Sequence, residues 1–176
     1  TQGMDHSKMQ KNGQTRESKQ EDSKKDAKRK DTPSSKEKRS PSVVTPNVGS
    51  LPWTMDGDVK VFHLIAEPIR REFAPGFWGY NGSSPGPTIE AVEGEKVRIF
   101  VTNKLNEPTS VHWHGIILPN GMDGVAGLNQ PSIPPGETFK YEFVLKQNGT
   151  FMYHPHSDEM TQVALGMMGF FIIHPK

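Results

Sequence analysis

Aromatic residues divide this 176-residue chain into two parts with different capacities to fold. The nine Phe, three Trp and three Tyr residues all lie at or after Trp53. The residues before Trp53 are rich in Lys, Ser, Asp and Glu and show no apolar periodicity. Such a segment buries too little apolar surface to offset the entropy lost on ordering. The sequence therefore predicts a disordered tail over residues 1–52 and one domain over residues 53–176, long enough for a hydrophobic core.

Charge follows the same division. The tail carries twelve Lys or Arg and seven Asp or Glu, so the formal net charge of +1 combines a basic tail with an acidic domain. Acidic residues interrupt the basic ones and aromatic residues for stacking are absent there, which favours a solvated tether over a nucleic-acid-binding arm. No stretch approaches the roughly 18 apolar residues that span a bilayer, so no membrane span is predicted.

Short β-type runs separated by Gly- and Pro-rich turns characterise the chain from residue 58 onward. The runs predicted as strands are residues 59–65, 88–92, 96–103, 110–117, 138–145, 150–154 and 168–174. Only residues 158–167 are expected to form a helical turn or two. This pattern predicts an all-β fold, an antiparallel Greek-key β-sandwich.

Four of the seven histidines fall in two His-x-His motifs, His112-Trp113-His114 and His154-Pro155-His156. Residues i and i+2 of a strand share one face with Cα atoms roughly 6.5–7 Å apart, so each pair can converge on a metal ion. Pro155 has no N–H to donate to a sheet, which places the second pair at the rim. The lone histidines His63 and His174 are interpreted as structural.

Four imidazoles alone permit either copper or tetrahedral zinc. Nearby thioethers shift the prediction to copper, because soft sulfur ligands favour copper(I). The methionines concerned are Met160, Met167 and Met168 after the second motif, and Met4 and Met9 on either side of His6. Core packing is the alternative interpretation for Met167 and Met168. The Met4–Met9 segment is hypothesised to capture copper loosely.

The histidine motifs and their spacing resemble the first cupredoxin domain of the multicopper oxidases, over residues 58–175. Further matching stretches are Asn81-Gly82, Pro85-Gly86-Pro87-Thr88-Ile89, Ile133-Pro134-Pro135-Gly136, Phe139-x-Tyr141-x-Phe143, and Gln162 with Gly166-Met167-Met168-Gly169. The resemblance implies a cupredoxin-like Greek-key β-sandwich, copper as cofactor and a periplasmic or secreted location. The start at Thr1 rather than Met is consistent with a removed signal peptide.

The resemblance also implies distinct roles for individual residues. His112 would bind the type 2 copper of a trinuclear cluster that reduces O2, and His114, His154 and His156 would bind its two type 3 coppers. Asp123 matches the acidic residue that assists proton delivery in the family. The alternative is that Asp123 is only a turn residue.

One departure from the family pattern limits what these residues can do alone. The chain has no cysteine, so it cannot form the type 1 copper site. A C-terminal cupredoxin domain or a partner chain would have to supply that site and the remaining cluster histidines, and the chain alone should lack appreciable oxidase activity. The alternatives are a copper-binding or copper-tolerance protein without oxidase activity, a mononuclear zinc-binding domain, and a homo-oligomer that pools its histidines.

Overall fold

The computed structural model describes residues 43–71 and 74–176, which form two β-sheets packed face to face. The strands are β1 (Trp53–Asp56), β2 (Val59–Arg71), β3 (Ala74–Tyr80), β4 (Gly86–Val92), β5 (Lys96–Asn103), β6 (His112–His114), β7 (Thr138–Val144), β8 (Gly149–His154) and β9 (Gly169–His174). The first sheet has the order β1-β2-β5-β7, with β3 also paired to β2, and the second has the order β4-β9-β8-β6. The predicted all-β, cupredoxin-like sandwich is confirmed.

Alternation of apolar and polar residues explains how the first sheet packs. In β5, Val97, Ile99 and Val101 are fully buried, whereas the residues between them are only partly buried. This is the inward and outward division expected from the period of two in a strand. The apolar side chains of both sheets meet in one core between the layers.

Strand direction is the point on which the predicted antiparallel sandwich is wrong. Residues 59–66 of β2 pair with β5 in parallel, and β4 pairs with β9 in parallel, so both sheets are mixed. Side-chain alternation determines which face a residue occupies but carries no information on the direction of the neighbouring strand. Direction depends on how the connections cross between the layers.

Element boundaries differ from the prediction mainly where glycine and proline occur. β1 and β3 were not predicted, and β3 contains two glycines and a proline that hide its β-pattern. The predicted strand over residues 110–117 shortens to β6, because Gly115 adopts φ +82° and the Ile116 N–H donates to the Trp113 carbonyl. The helix α1 (Glu159–Ala164) lies within the segment expected to be helical, and the Asp158 side chain caps it by accepting from the Thr161 N–H.

Aromatic residues fill the centre of the core. The fully buried Trp113 ring makes edge or tilted contacts with four other rings, those of Tyr141, Phe143, Tyr153 and Phe171. The Tyr153 hydroxyl donates to the Pro87 carbonyl at 2.7 Å. A Cβ atom at Gly169 would lie 2.3 Å from the Tyr153 ring, so only glycine allows β9 to approach β8 this closely.

Part of the predicted tail is described and contacts the sandwich. Leu51 is 2% exposed within the core, and its N–H donates to the Thr88 carbonyl at 2.7 Å. Residues 1–42, including His6, lie outside the described residues, and the division between residues 52 and 53 stays a prediction. Within the described ranges, no helix has the length and hydropathy needed to cross a membrane.

Candidate metal centre

Three of the four motif histidines, His112, His114 and His154, lie on the outer face of the second sheet, and His156 follows the end of β8. In the antiparallel pairing of β6 with β8, His112 lies opposite His154 and His114 lies opposite Met152. Trp113 and Tyr153, which are also paired, point the other way into the core. Strand alternation therefore places Trp113 and Tyr153 inside and His112, His114 and His154 outside, whereas His156 lies beyond the end of β8.

Three of the four imidazoles converge. One ring nitrogen from each of His112, His114 and His154 lies within 4.8 Å of the others, a spacing that allows the three to hold a metal ion. Within this group, His114 Nδ1 lies 3.1 Å from His154 Nε2. The His156 ring centroid lies 5.5 Å from that of His112, but His156 is not one of the three residues whose ring nitrogens converge.

Backbone carbonyls define which nitrogen is available on two of the rings. His112 Nδ1 lies 2.6 Å from the Asp123 carbonyl oxygen, and His154 Nδ1 lies 2.9 Å from the Pro155 carbonyl oxygen. A carbonyl oxygen only accepts, so each Nδ1 carries the proton and donates it. Each Nε2 is then the unprotonated nitrogen that can bind a metal, the arrangement usual for histidine ligands, and that of His154 faces His114 Nδ1 at 3.1 Å.

Carboxylates and burial set the electrostatics of the site. Burial lowers the pKa of His154, and the nearby His112 and His114 rings lower it further, against the hydrogen bond to Pro155 and the charge of Glu159. The Glu159 carboxylate lies 3.6 Å from His156 Nε2, and the Asp123 carboxylate lies 3.4 Å from His112 Nδ1. A neutral His154 keeps the lone pair that a metal requires.

An open cleft of about 370 Å³ adjoins His114 on the same face. Its lining is mostly apolar and comes from β6, β8 and β9: His114, Gly115, Thr150, Phe151, Met152 and Phe170. The Phe170 side chain is 43% exposed, so the histidines stand beside apolar surface rather than in a closed cavity.

The other residues singled out from the sequence lie in different parts of the molecule. Met167 is fully buried in the core, as its alternative interpretation held, whereas Met160 is 89% exposed. His63 stacks on Phe100 of the first sheet with ring centroids 5.3 Å apart. His174 Nε2 lies 3.0 Å from the Glu90 carboxylate, away from the other histidines. Met4, Met9 and His6 lie outside the described residues, so the proposed copper capture there is untested.

Glu159 was missed by the sequence analysis. It lies three residues after His156, in the first turn of α1. This spacing brings its carboxylate within 3.9 Å of both histidines of the second motif. A carboxylate three residues after a histidine, with Asp158 as a capping residue before it, was the available signal.

Comparison with known proteins agrees with this geometry. The family model described as Multicopper oxidase matches residues 67–176. The chain belongs to the multicopper oxidase family. It is 50% identical over 96 residues to Copper resistance protein A of Escherichia coli and 44% identical over 131 residues to Laccase-2 of Cryptococcus neoformans var. grubii. A solved multicopper oxidase from Campylobacter jejuni, described as a metallo-oxidase, superimposes with a TM-score of 0.66 at 33% identity.

The match covers a minor share of each relative. The alignments cover 54% of this chain and 16% of the Escherichia coli protein, and 72% of this chain and 21% of the Cryptococcus protein. The structural match covers 73% of this chain and 29% of the Campylobacter jejuni chain. Family membership makes the cofactor copper, and the histidine group is a suitable set of donors for it.

Proposed function

We propose that this chain provides half of the protein ligands of a trinuclear copper cluster that reduces O2 to water. In this proposal His112 binds the type 2 copper, and His114, His154 and His156 bind the two type 3 coppers. The observation that carries the proposal is the convergence of three imidazoles from two paired strands within 4.8 Å. Copper, when bound, supplies the one-electron redox chemistry of the reaction.

The residues of this chain hold and orient the donors. The carbonyls of Asp123 and Pro155 fix the rings of His112 and His154, so little reorientation is needed on binding. The pKa of His154 is lowered chiefly by burial, which keeps its lone pair available in mildly acidic solution. The Asp123 carboxylate, 33% exposed and beside His112, is proposed to deliver protons from solvent to the site.

A second cupredoxin domain is proposed to complete the site, either further along the same polypeptide or in a partner chain. It would contribute four more histidines and the cysteine-containing type 1 copper, because the 176 residues contain no cysteine. The apolar surface around Met152 and Phe170, next to the histidines, is suited to such an interface. A periplasmic or secreted location is part of the same proposal.

Copper titration of single-histidine variants tests the ligand assignment. Replacing any of the four motif histidines by Ala should weaken copper binding in calorimetry, and His112→Ala should change the electron paramagnetic resonance spectrum of the copper-loaded chain most. His63→Ala is the control, because His63 lies on the other sheet against Phe100. Equal copper affinity in all five variants would refute the assignment, and a preference for one zinc ion would favour the mononuclear zinc alternative.

Copper binding without oxidase activity is a second candidate function. The name Copper resistance protein A of the Escherichia coli relative favours it. The coding sequence after Lys176 separates the two candidates: a downstream His-Cys-His segment supports the oxidase. Under either candidate, the purified chain should not oxidise phenols or diamines, and copper-dependent turnover by the chain alone would contradict both.

A further inference from the structure

The loop after β6 returns across the start of that strand at Gly124. Gly124 has φ +86°, and a Cβ atom there would lie 1.8 Å from the Val111 carbonyl oxygen and 2.9 Å from His112 Cα. All of these contacts are with backbone atoms, which cannot move aside as a flexible side chain could. Only a residue without a Cβ allows the loop to lie this close to β6.

This close approach has a direct effect on His112. The residue before Gly124 is Asp123, whose carbonyl oxygen accepts from His112 Nδ1 at 2.6 Å. The loop is also held by the Asp123 N–H, which donates to the Asn120 carbonyl, and by the Ala126 N–H, which donates to the His156 carbonyl, both at 3.2 Å. The position of the Asp123 carbonyl therefore depends on how closely the backbone at residue 124 packs on Val111.

We propose that Gly124 is a positioning residue that selects the tautomer of His112. Because Gly124 lets the loop pack on β6, the Asp123 carbonyl stays in contact with His112 Nδ1. The proton therefore resides on Nδ1, and the Nε2 lone pair faces the other histidines. The value of this tautomer for copper rests on the proposed function of His112 as a ligand. The tautomer itself does not depend on that function.

Gly127 provides a matched control in the same loop. It has φ +79°, close to that of Gly124, but no atom lies within 4 Å of a Cβ built there. Alanine at either position introduces the same kind of backbone strain, whereas only Gly124→Ala also collides with β6. A difference between the two variants therefore isolates the contact with Val111 and His112.

Nitrogen-15 NMR of the imidazole rings in the copper-free chain tests the proposal. The wild type and Gly127→Ala should show His112 with the proton on Nδ1, and Gly124→Ala should transfer a large share of it to Nε2. Asp123→Ala should keep the wild-type tautomer, because the acceptor is the backbone carbonyl and not the carboxylate. The His63 signals should be the same in all variants.

A second variant covers the case in which Gly124→Ala does not fold. Asn120→Ala removes the side-chain hydrogen bond from Asn129 to Asn120, 2.6 Å long, and loosens the loop without a collision. It should raise the Nε2-protonated share of His112 by a smaller amount. The proposal is overturned if wild-type His112 carries its proton on Nε2, or if neither loop variant changes the tautomer.

Copper binding separates this proposal from the proposed function. If His112 is a ligand, Gly124→Ala should weaken copper binding by about 10- to 100-fold, the usual cost of losing a partner that orients a ligand. Gly127→Ala should stay within about twofold of the wild type by the same reasoning. A changed tautomer with unchanged copper affinity would support the positioning role and refute His112 as a ligand.

Discussion

The two His-x-His motifs have the same spacing but different surroundings. The first lies wholly within β6, its central Trp113 is fully buried, and its first ring is held by a carbonyl from a distant loop. The second begins at the last residue of β8, its central residue is Pro155, and its rings lie near Glu159 of α1. Two motifs with the same spacing are therefore held in place by different parts of the structure.

The difference shows which part of the structure each motif depends on. The first motif is fixed by the core beneath it and by the loop docked at Gly124, whereas the second is fixed by burial of His154 and by a short helix. Changes to the core should therefore affect the first motif most. Changes to the charge of α1 should affect the second motif most.

The largest effect is expected from the central residues of the motifs. Trp113→Ala should lower the free energy of unfolding by about 3–5 kcal/mol, because it leaves a cavity among four aromatic rings. Pro155→Ala should cost about 1 kcal/mol or less, since it retains the carbonyl that His154 uses and mainly increases the entropy of the unfolded chain. Urea denaturation measures both, and equal losses would remove the distinction between the motifs.

The second-largest effect is expected on copper affinity, when either histidine of the second motif is replaced. His154→Ala should weaken copper binding by more than about 100-fold, beyond the loss caused by an orienting partner, because His154 belongs to the converging group. His156→Ala should weaken copper binding by about tenfold, since His156 is not one of the three residues whose ring nitrogens converge. Calorimetry of both variants in the same buffer gives the ratio of their copper affinities. A larger loss for His156 would reverse the predicted order.

A smaller effect is expected from Glu159. Glu159→Gln removes the negative charge that lies 3.6 Å from His156 and 3.9 Å from His154, and should weaken copper binding by up to about tenfold. Glu107→Gln is the control, because Glu107 accepts from buried Gln162 at the other side of α1. If both variants bind copper equally well, Glu159 has no part in the site.

The smallest effect is the pH dependence of stability in the copper-free chain. The folded state lowers the pKa of His154 below its usual 6.5, chiefly by burial, so the unfolded state binds that proton more readily. The free energy of unfolding should therefore fall as the pH drops below about 6.5.

On the other sheet, hydrogen bonds from Lys96 and Arg98 lower the pKa of Glu142 to about 2, so the stabilising effect of Glu142 is lost only below pH 4.5.

Urea denaturation between pH 5 and 8 checks this window. His154→Gln should flatten the pH dependence, whereas Glu142→Gln should leave this range unchanged and alter the response at lower pH. An unchanged slope in His154→Gln would show that another group titrates.

The sequence predicted most reliably the elements that alternation defines. β5 begins and ends where the pattern does, and β7 differs by one residue at its end. Alternation also placed His112 and His114 on one face of β6, whereas His156 lies beyond the end of β8. It could not reveal β3, where Pro75, Gly76 and Gly79 interrupt the pattern, nor the parallel pairings, which depend on connections between the layers.

The finer parts of the site depend on backbone paths that side-chain patterns do not encode. The carbonyl that accepts from His112 belongs to Asp123, eleven residues along the chain, and reaches the ring only because Gly124 packs on Val111. Asp123 was singled out for its carboxylate, yet its shorter contact with His112 is made by its backbone oxygen. A sequence pattern identifies side chains, and this contact is made by the main chain.

The alternation in β6 has a consequence for how such a domain can change over generations. Trp113 lies between His112 and His114 on one three-residue strand, so selection for folding and selection for metal chemistry act on adjacent codons. A substitution that repacks the interior shifts the backbone that carries both imidazoles. Variants with a new metal preference should therefore arise more readily in α1, whose Glu159 lies near the second motif and which can vary without disturbing Trp113.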